Sequence, residues 1–470
     1  MKPFPFQQQA IDKLSQPKIT SRLIGDDMGL GKTVTAIYLD KETRNGGGGK
    51  TLILAPLAVH ASWVKHIQAI VPSARVEFVD PKSRGKFVRA LKDPKVQFYV
   101  LHYEGLRILA QELQKVEWLH IIADEVHRVK NRKAQATRAL KSLKAKYKTG
   151  LSGTPADDKP EDLWSIINWL WPKYYSSYWK FIGHYCLYDT EQNWGNGQAY
   201  RKFVGVQNAQ SLHNEMEPWF VRRLKDQVLT DLPDKYYTDV WVDLHPQQRR
   251  AYEQMKNDMI AWLDNQDQST PVVAPVVIAQ LCRLQQFALG YMSWDESAER
   301  YLISDPSAKL DALMSILEDN PNEQVVVFSQ FKSILTLLSR RLAKAKIPHG
   351  LYTGDMKKQE RDKVVADFQK GKLRVFAGTI AAGGEGITLT SASTMVFLDR
   401  SWKPTANRQA EDRLHRIGQK NAVQIIDIMA KDTVDLGRRQ RIQQKWTWIR
   451  DILGDAGRVQ QAEELELVEQ

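Results

Sequence analysis

The stretch DDMGLGKT, residues 26–33, combines a glycine-rich loop with a lysine and a threonine. It follows the short apolar run RLIG and opens the helical pattern TVTAIYL. A loop of this kind presents backbone N–H groups and a helix N-terminus to phosphate oxygens. Lys32 would reach the β- and γ-phosphates of a nucleotide, and the Thr33 hydroxyl would bind Mg²⁺. The strict phosphate-loop pattern has glycine at the position of Asp26, so a helix-capping turn is the alternative interpretation.

Asp124 is the last residue of the apolar run HIIAD, and a second carboxylate residue, Glu125, follows it directly. Carboxylates at the C-terminal end of a parallel strand can hold a metal ion and activate water beside a bound phosphate. Asp124 is predicted to bind Mg²⁺, and Glu125 is predicted to activate the attacking water. Adjacent Asp and Glu are common, so the pair gains its meaning from its place downstream of the phosphate loop.

Short apolar runs alternate with helix-like segments in the first third of the chain and again near its end. They are LILAP (52–56), VQFYVL (96–101), HIIAD (120–124), QVVVFSQ (324–330), RVFAG (374–378), TMVFLD (394–399) and VQIIDIMA (423–430). This alternation predicts an α/β fold with two doubly wound lobes, each built on a parallel sheet. The segments 164–179, 246–262 and 273–288 predict helical insertions between the lobes. For the aromatic-rich segment 164–179, base stacking is the alternative.

The bulk composition excludes several classes of protein. At 470 residues, with 43% hydrophobic and 26% charged residues, the chain has the composition of a globular protein of several domains. Cys186 and Cys282 match no metal-binding spacing, which argues against a zinc site or a disulfide framework. The N-terminal MKPFPFQQQA lacks the apolar core of a signal peptide, and no long apolar run predicts a membrane span.

Positive charge dominates the chain and is concentrated in one segment. The formal net charge is +12, which permits binding to a polyanion. The stretch Lys130–Gly150 contains eight Lys or Arg residues and no acidic residue. Such a stretch is either a polyanion-binding surface or a solvated helix face, and the sequence leaves both interpretations open.

Further motifs follow one another along the chain. They are FQQQAI around Gln7, APLAVHASW (55–63), HYEGL (102–106), DEVHRVKN (124–131), LSGTP (151–155), FVRRLKDQVLTDLP (220–233), VVVFSQF (325–331), TIAAGGEGITLTSA (379–392) and DRSWKPTANRQAEDRLHRIGQ (399–419). With DDMGLGKT, they resemble the ordered motifs of the Swi/Snf-type, helicase-like DNA translocases of superfamily two, over about residues 4–435. The family's DEMGLGKT has the same first Asp, so Asp26 is expected there. Val126 and Phe6 are mild departures from the family's pattern.

The resemblance implies two RecA-like lobes that close on ATP and Mg²⁺. It implies that Lys32, Asp124 and Glu125 are catalytic, together with Arg413 and Arg416, which would stabilise the γ-phosphate as arginine fingers. The three-residue spacing of the arginines predicts that both lie on one helix face, and a structural arginine pair is the alternative. The residues predicted to contact the nucleotide are Gln7, which would read adenine, and Asp26, Asp27, Met28, Gly29, Leu30, Gly31, Lys32, Thr33, Gly384 and Gly386.

The resemblance also implies that double-stranded or forked DNA lies across both lobes, held through its phosphates without sequence specificity. The contacts predicted in the first lobe are His60, Lys65, His102, Lys130, Asn131 and Arg132. Those predicted in the second lobe are Thr379, Gly383 and Trp402. The Gly383–Gly384 turn would let the backbone approach a phosphate closely. For Trp402, packing in the core is the alternative.

The motifs divide the chain into five segments. These are a first lobe at 1–156, a first helical insertion with the start of the linker at 157–235, the linker and a second helical insertion at 236–300, a second lobe at 301–450, and an acidic tail at 451–470.

The predicted function is a DNA-dependent ATPase that moves along double-stranded DNA and remodels or anneals forked or protein-bound DNA. The insertions favour translocation over unwinding, since relatives that walk on duplex DNA carry them. A strand-separating DNA or RNA helicase is one alternative, and an ATP-binding DNA scaffold without catalysis is another. No histone-reading segment is recognisable, which disfavours nucleosome sliding. We expect a monomer without membrane association, in the cytoplasm of a bacterial or phage-infected cell, or in the nucleus of a eukaryote.

Overall fold

The computed structural model describes residues 1–44, 47–155, 160–192, 199–229, 231–264, 274–295, 300–383, 386–453 and 455. The chain divides into two compact units. The first comprises Met1–Tyr188, Phe203–Thr230 and Lys445–Gln470, and the second comprises Asp189–Lys202 and Asp231–Gln444. Within the described ranges, no helix combines the length and the apolar character that a membrane crossing requires.

The elements up to residue 228 alternate between strands and helices. The strands are β1 (Ser21–Ile24), β2 (Thr51–Leu54), β3 (Arg75–Phe78), β4 (Val96–Leu101), β5 (Trp118–Asp124), β6 (Ala145–Leu151), β7 (Cys186–Gln192), β8 (Ala199–Val206) and β9 (Phe220–Val221). The helices are α1 (Pro5–Leu14), α2 (Lys32–Arg44), α3 (His60–Ile70), α4 (Arg84–Lys92), α5 (Tyr103–Ile108), α6 (Ala110–Gln114), α7 (Gln135–Ser142), α8 (Pro160–Leu170), α9 (Tyr178–Tyr185), α10 (Ala209–Met216) and α11 (Lys225–Val228).

Seven of these strands form a sheet in the order β3-β4-β2-β5-β6-β1-β9, and every pair is parallel. Successive side chains of one strand enter different cores. Leu52 packs into one hydrophobic cluster and Ile53 into another, and Ile121 and Ile122 divide in the same way. Both faces of the sheet are therefore covered, which is why its strands read as continuous apolar runs.

The elements from residue 235 onward repeat this architecture. The strands are β10 (Lys235–Val242), β11 (Tyr291–Asp295), β12 (Arg300–Ser304), β13 (Val325–Ser329), β14 (His349–Tyr352), β15 (Val375–Thr379), β16 (Thr394–Phe397) and β17 (Val423–Ala430). The helices are α12 (Pro246–Asp264), α13 (Ala274–Leu289), α14 (Ala308–Asp319), α15 (Lys332–Lys344), α16 (Lys358–Gln369), α17 (Ile380–Gly383), α18 (Pro404–Glu411) and α19 (Val434–Leu453).

Six of these strands form a second parallel sheet in the order β10-β17-β16-β13-β15-β14. Val325 and Val327 pack into one hydrophobic cluster, while Val326 and Phe328 pack into another. Two parallel-sheet α/β lobes confirm the predicted fold class. The seven predicted strands are present, and strands β3, β6, β9, β10 and β14 were not predicted.

The middle of the chain contains the predicted helices α8, α12 and α13, and also α9, which overlaps the predicted segment 164–179 only at its first two residues. It contains two antiparallel hairpins as well, β7-β8 and β11-β12. The aromatic-rich segment 164–179 is packed only in part, because Trp164 and Trp169 are buried in the hydrophobic core whereas Tyr174 and Trp179 are exposed. The five-segment division of the chain stays a prediction.

The basic stretch Lys130–Gly150 is not a single helix face. It contains α7 and β6, and two of its lysines point inward. The ammonium group of Lys141 donates to Oδ1 of Asn168 at 2.8 Å and lies over the ring of Trp164. Lys148 donates to the carbonyl oxygen of Trp169 at 2.8 Å. Part of the positive charge therefore packs against α8 and is removed from any polyanion-binding surface.

Candidate nucleotide-binding site

The glycine-rich loop, residues 25–31, connects the end of β1 to α2, which begins at Lys32. Gly29 and Gly31 have φ angles of 86° and 73°, in the left-handed region that glycine adopts without steric cost. A Cβ atom on Gly31 would also lie 2.5 Å from Nε2 of Gln7 and would displace that amide. The loop therefore has the strand–loop–helix context that a phosphate loop requires.

The ammonium group of Lys32 points into this loop. Its Nζ donates hydrogen bonds to the carbonyl oxygens of Asp26 and Asp27, at 2.8 and 3.2 Å. A Cβ atom on Gly153, in the LSGTP segment, would lie 3.5 Å from the same Nζ. The cation is thus surrounded by neutral backbone acceptors, for which a phosphate would be a stronger, charged replacement. This arrangement favours a phosphate loop over a capping turn.

Gln7 holds the loop by its amide group. Its Oε1 accepts from the backbone N–H of Phe4 at 2.9 Å, and its Nε2 donates to the carbonyl oxygen of Leu30 at 2.9 Å. The predicted reading of adenine by Gln7 stays a prediction. The same holds for the predicted nucleotide contacts of Met28 and Thr33.

Two adjacent arginines of the FVRRLK segment brace the loop from outside. The carboxylate of the buried Asp26 accepts two hydrogen bonds from Arg223, with an Nε–Oδ1 distance of 2.9 Å. Arg222 donates to the carbonyl oxygens of Gly25 and Gly153, at 2.6 and 2.8 Å. From its sequence, this segment is predicted only to begin the link between the lobes. A doubled arginine inside an apolar run was the available signal, because buried guanidinium groups need acceptors.

The carboxylate pair stands at the end of β5. Asp124 is the last strand residue, and Glu125 has a φ of 49°, a costly conformation for a residue with a side chain. Oδ2 of Asp124 accepts from the indole Nε1 of Trp63 at 2.9 Å, and Oδ1 accepts from the N–H of Glu125 at 3.0 Å. Burial and the charge of Glu125 raise the pKa of Asp124 to about 6, although Trp63 and Lys32 oppose this shift.

Two oxygens near this pair are buried without a hydrogen bond. They are Oε2 of Glu125 and Oγ1 of Thr154. Nδ1 of His127 lies 3.3 Å from the first of them and 3.2 Å from Oγ of Ser152. Unsatisfied buried oxygens are rare in proteins, and they mark places where a water molecule or a ligand atom fits. Lys32 lies close enough to Asp124 to oppose the rise in its pKa, so Lys32, Asp124 and Glu125 share one polar site.

In the second unit, Arg413 and Arg416 lie in turns after α18, so their predicted placement on one helix face is wrong. The helix ends at Glu411, and beyond it the N–H groups of Arg413 and Leu414 bond three residues back, each at 3.1 Å. The two guanidinium groups nevertheless meet. Both donate through Nη1 to the carbonyl oxygen of Ile387, at 3.4 Å from Arg413 and 3.1 Å from Arg416.

Ile387 belongs to the motif TIAAGGEGITLTSA, so the turn after α18 is bound to this motif. Gly386, a predicted nucleotide contact, precedes it with a φ of 71°. Such a φ requires glycine for conformational reasons alone. Gly384, also predicted to contact the nucleotide, lies outside the described residues.

The buried carboxylate of Glu411 positions the turn that follows α18 and carries Arg413 and Arg416. Glu411 accepts hydrogen bonds from Arg400 at 2.7 Å, from Lys235 at 3.0 Å and from the hydroxyl of Tyr237 at 2.8 Å. Burial disfavours its charge, but Lys235 and Arg400 hold the pKa of Glu411 well below its usual range. The end of α18 is therefore tied to β10 and to the loop after β16.

The predicted DNA contacts of the first unit differ in exposure. Lys65, Asn131 and Arg132 are exposed, and the guanidinium of Arg132 lies over the ring of Tyr178. Lys130 is half-buried and pairs with Asp162 at 3.2 Å.

The two predicted histidine contacts bond to their own segments. Nε2 of the buried His60 lies 3.0 Å from the carbonyl oxygen of Ala55, and burial lowers the pKa of His60. Nδ1 of His102 caps α5 by accepting from the N–H of Gly105 at 3.0 Å. These bonds give both histidines a structural role, and their DNA contacts stay predictions.

The predicted DNA contacts of the second unit are partly buried. A Cβ atom on Gly383 would lie 2.3 Å from the ring of Phe328, so packing alone accounts for this glycine. Nε1 of Trp402 donates to Oε1 of Gln285 at 3.2 Å, which matches the packing interpretation of that tryptophan. Thr379 is half-buried at the end of β15.

A family model of the SNF2-related domain matches residues 8–287, which is more than half of the chain. The chain belongs to the SNF2-related family. A second model, of the helicase conserved C-terminal domain, matches residues 308–418 of this SNF2-related chain. These matches confirm the family predicted from the motifs.

Several relatives are similar to this SNF2-related chain over most of its length. The putative ATP-dependent helicase/translocase YwqA of Bacillus subtilis is 28% identical over 88% of the chain and 44% of YwqA. An ATP-dependent helicase of Mycoplasma pneumoniae is 26% identical over 88% of the chain and 38% of that protein. The chain thus spans about two fifths of the length of these relatives. The SWI2/SNF2 ATPase core of Sulfolobus solfataricus, solved with double-stranded DNA, aligns with a TM-score of 0.45 at 24% identity, covering 96% of this chain and 97% of that chain.

Proposed function

We propose that this SNF2-related chain is a DNA-dependent ATPase that moves along double-stranded DNA. The observation that carries the proposal is the gathering of Lys32, Asp124 and Glu125 at one edge of the first sheet. β5, β6 and β1 are neighbours, so the loops after them meet at the carboxyl ends of the strands, where ligands bind in open α/β sheets. The names of the Bacillus and Mycoplasma relatives, which call those proteins ATP-dependent helicases, support ATP as the nucleotide.

Each group has a role in phosphoryl transfer to water. Lys32 binds the β- and γ-phosphates, and Glu125 accepts a proton from the attacking water through its carboxylate. Arg413 and Arg416 exchange their bonds to Ile387 for the γ-phosphate and stabilise the charge that develops there.

Mg²⁺ fits the same site by the chemistry of its donors. The carboxylate of Asp124 and the hydroxyl of Thr33 are oxygen ligands of the kind that Mg²⁺ prefers. The ion would supply positive charge at the β- and γ-phosphate oxygens. A positive ion would also stabilise the ionised form of Asp124, whose charge is disfavoured by burial and by Glu125.

The polyanion is proposed to be duplex DNA bound through its backbone. The net charge of +12 and the exposed Lys65, Asn131 and Arg132 support a phosphate-binding surface. Because the contacts are proposed to go to phosphates, we expect steep salt dependence and little base preference.

The decisive measurement is ATP hydrolysis with duplex, single-stranded and forked DNA and with RNA. We expect the greatest stimulation by duplex DNA. Lys32→Ala should abolish stimulated hydrolysis and spare DNA binding, whereas Lys41→Ala, an exposed lysine of the same helix α2, should behave as wild type. Stimulation mainly by RNA, with strand displacement, would establish the helicase alternative instead. DNA binding without any hydrolysis would establish the scaffold alternative.

Remodelling or annealing of forked DNA is a finer part of the same proposal, together with a monomeric state. The bacterial relatives support a location in the cytoplasm. Regression of a model stalled fork in the presence of ATP tests the remodelling activity. A fork left intact while duplex DNA still stimulates hydrolysis would restrict the function to translocation.

A further inference from the structure

Three hydrogen bonds converge on Asp124, the proposed metal ligand. Two of them hold its carboxylate, from the indole of Trp63 to Oδ2 at 2.9 Å and from the N–H of Glu125 to Oδ1 at 3.0 Å. The third runs from the hydroxyl of Tyr103 to the backbone carbonyl oxygen of Asp124, at 2.6 Å. Side chain and backbone of one residue are therefore held by donors from two other segments.

Both aromatic donors are fixed in the core. Trp63 is 1% exposed and packs in the cluster that includes Val34 and Ile37 of the helix after the phosphate loop. Tyr103 is 8% exposed, and burial raises its pKa well above the usual value, so the phenol remains a donor. A donor with a locked rotamer restricts the carboxylate to one orientation.

The helices that carry these donors also carry proposed DNA contacts. Trp63 lies on α3 two residues before the exposed Lys65. Tyr103 opens α5, directly after its N-cap residue His102. The segments that would touch the phosphates of DNA are therefore one hydrogen bond away from the residue that would hold Mg²⁺.

We propose that Trp63 and Tyr103 are positioning residues that orient Asp124 for Mg²⁺ and connect it to the DNA-facing helices α3 and α5. The proposal rests on the proposed function for its DNA part. The metal part stands by itself, because it concerns the orientation of one carboxylate. Loss of either donor leaves Asp124 free to rotate or shift, which weakens metal binding without removing a metal ligand.

The test uses the full chain with Trp63→Phe and Tyr103→Phe. Mn²⁺ replaces Mg²⁺ as a probe, and its binding in the presence of a non-hydrolysable ATP analogue is measured by electron paramagnetic resonance. We expect each variant to bind Mn²⁺ about 10-fold more weakly, as is typical when a residue that orients a metal ligand is lost. The Mg²⁺ concentration for half-maximal hydrolysis with duplex DNA should rise, while the affinity for DNA stays unchanged.

Two control variants each remove a buried aromatic donor that lies in the same unit but does not bond to Asp124. Trp118→Phe removes an indole bond to the carbonyl oxygen of Leu113 at 3.0 Å, and Tyr99→Phe removes a hydroxyl bond to that of Ala90 at 3.0 Å. We expect both to lower the melting temperature and to leave Mn²⁺ binding unchanged.

Unchanged Mn²⁺ affinity in Tyr103→Phe and Trp63→Phe would overturn the proposal, and so would an equal loss in the controls. If Trp63→Phe does not fold, Tyr103→Phe decides, because it removes a single oxygen atom. Wild-type protein that binds Mn²⁺ with the analogue, but is not stimulated by DNA, would contradict the proposed function and leave the metal part standing.

Discussion

The residues proposed to act on ATP are held differently in the two units. In the first unit, charged groups have partners from distant segments, as Asp26 has in Arg223 and Asp124 has in Trp63. In the second unit, Arg413 and Arg416 share a neutral backbone carbonyl. The first arrangement holds its groups in place before any ligand binds, whereas the bonds of Arg413 and Arg416 to Ile387 are ones that an anion would replace.

Electrostatics sharpen this difference. Burial lowers the pKa of Arg416, and Asp412 opposes that shift without cancelling it. A buried cation with an incomplete counter-charge gains from a nearby anion. Asp26, by contrast, already has Arg223 as a bidentate partner. In the proposed function, the first unit binds nucleotide in a preformed loop and the second unit supplies positive charge during the reaction.

The largest expected effect is the loss of ATP hydrolysis when an arginine of the second unit is replaced. Arg416→Ala or Arg413→Ala should lower kcat by about 10³-fold or more, since arginine fingers act on the charge of the transition state. The melting temperature of Arg416→Ala should stay near that of wild type, because its guanidinium donates to the neutral carbonyl oxygen of Ile387. Steady-state hydrolysis with saturating duplex DNA measures the effect, and Arg340→Ala, an exposed arginine on α15, is the control. Near-normal turnover in Arg416→Ala would remove the proposed distinction between the units.

A second prediction concerns the bracing of the first unit. Arg222 and Asp455 form an ion pair at 2.7 Å, with side chains 3% and 4% exposed. Asp455→Ala should lower the free energy of unfolding by about 3–5 kcal/mol, because it leaves a buried guanidinium without its counter-charge. Nucleotide affinity should fall as well, since Arg222 also holds Gly25 and Gly153. Denaturant titration and nucleotide binding measure the two quantities.

The control for that prediction is an exposed pair in the same unit. Arg75 lies 2.8 Å from Asp93, and its side chain is 59% exposed. Arg75→Ala should cost no more than about 1 kcal/mol, as surface pairs do. Equal costs in Asp455→Ala and Arg75→Ala would mean that the loop is not braced from this side.

The smallest expected effect is on the salt dependence of DNA binding. It should differ between variants of exposed lysines and variants of inward-facing lysines. Lys65→Ala should reduce the slope of log affinity against log salt by about 1, because one phosphate contact is lost. Lys141→Ala should leave the slope unchanged, since Lys141 bonds to Asn168 and burial lowers its pKa to about 8. Fluorescence anisotropy over a range of salt concentrations measures both. A reduced slope in Lys141→Ala would show that the inward-facing lysines also contact DNA.

The strands that were predicted and those that were missed differ in composition. Val96–Leu101 and Val325–Ser329 are buried on both faces, so their apolar runs indicate strands directly. β6, at Ala145–Leu151, contains Lys146 and Lys148 and reads as part of a basic helix. It forms a strand because it pairs with both β5 and β1, an arrangement that local composition does not reveal.

Lys32, Asp124 and Glu125 are predictable from the chain alone, because glycine spacing, a following lysine and a carboxylate pair after a strand are local patterns. Their proximity in the fold agrees with that prediction, and their catalytic roles stay proposals. The side chains that hold them could be found only in the folded molecule. Trp63 reaches Asp124 across 61 residues of chain, and Arg223 reaches Asp26 across 197. Such contacts depend on the order of the strands in a parallel sheet. Long crossover connections determine this order, and local periodicity in the sequence does not encode it.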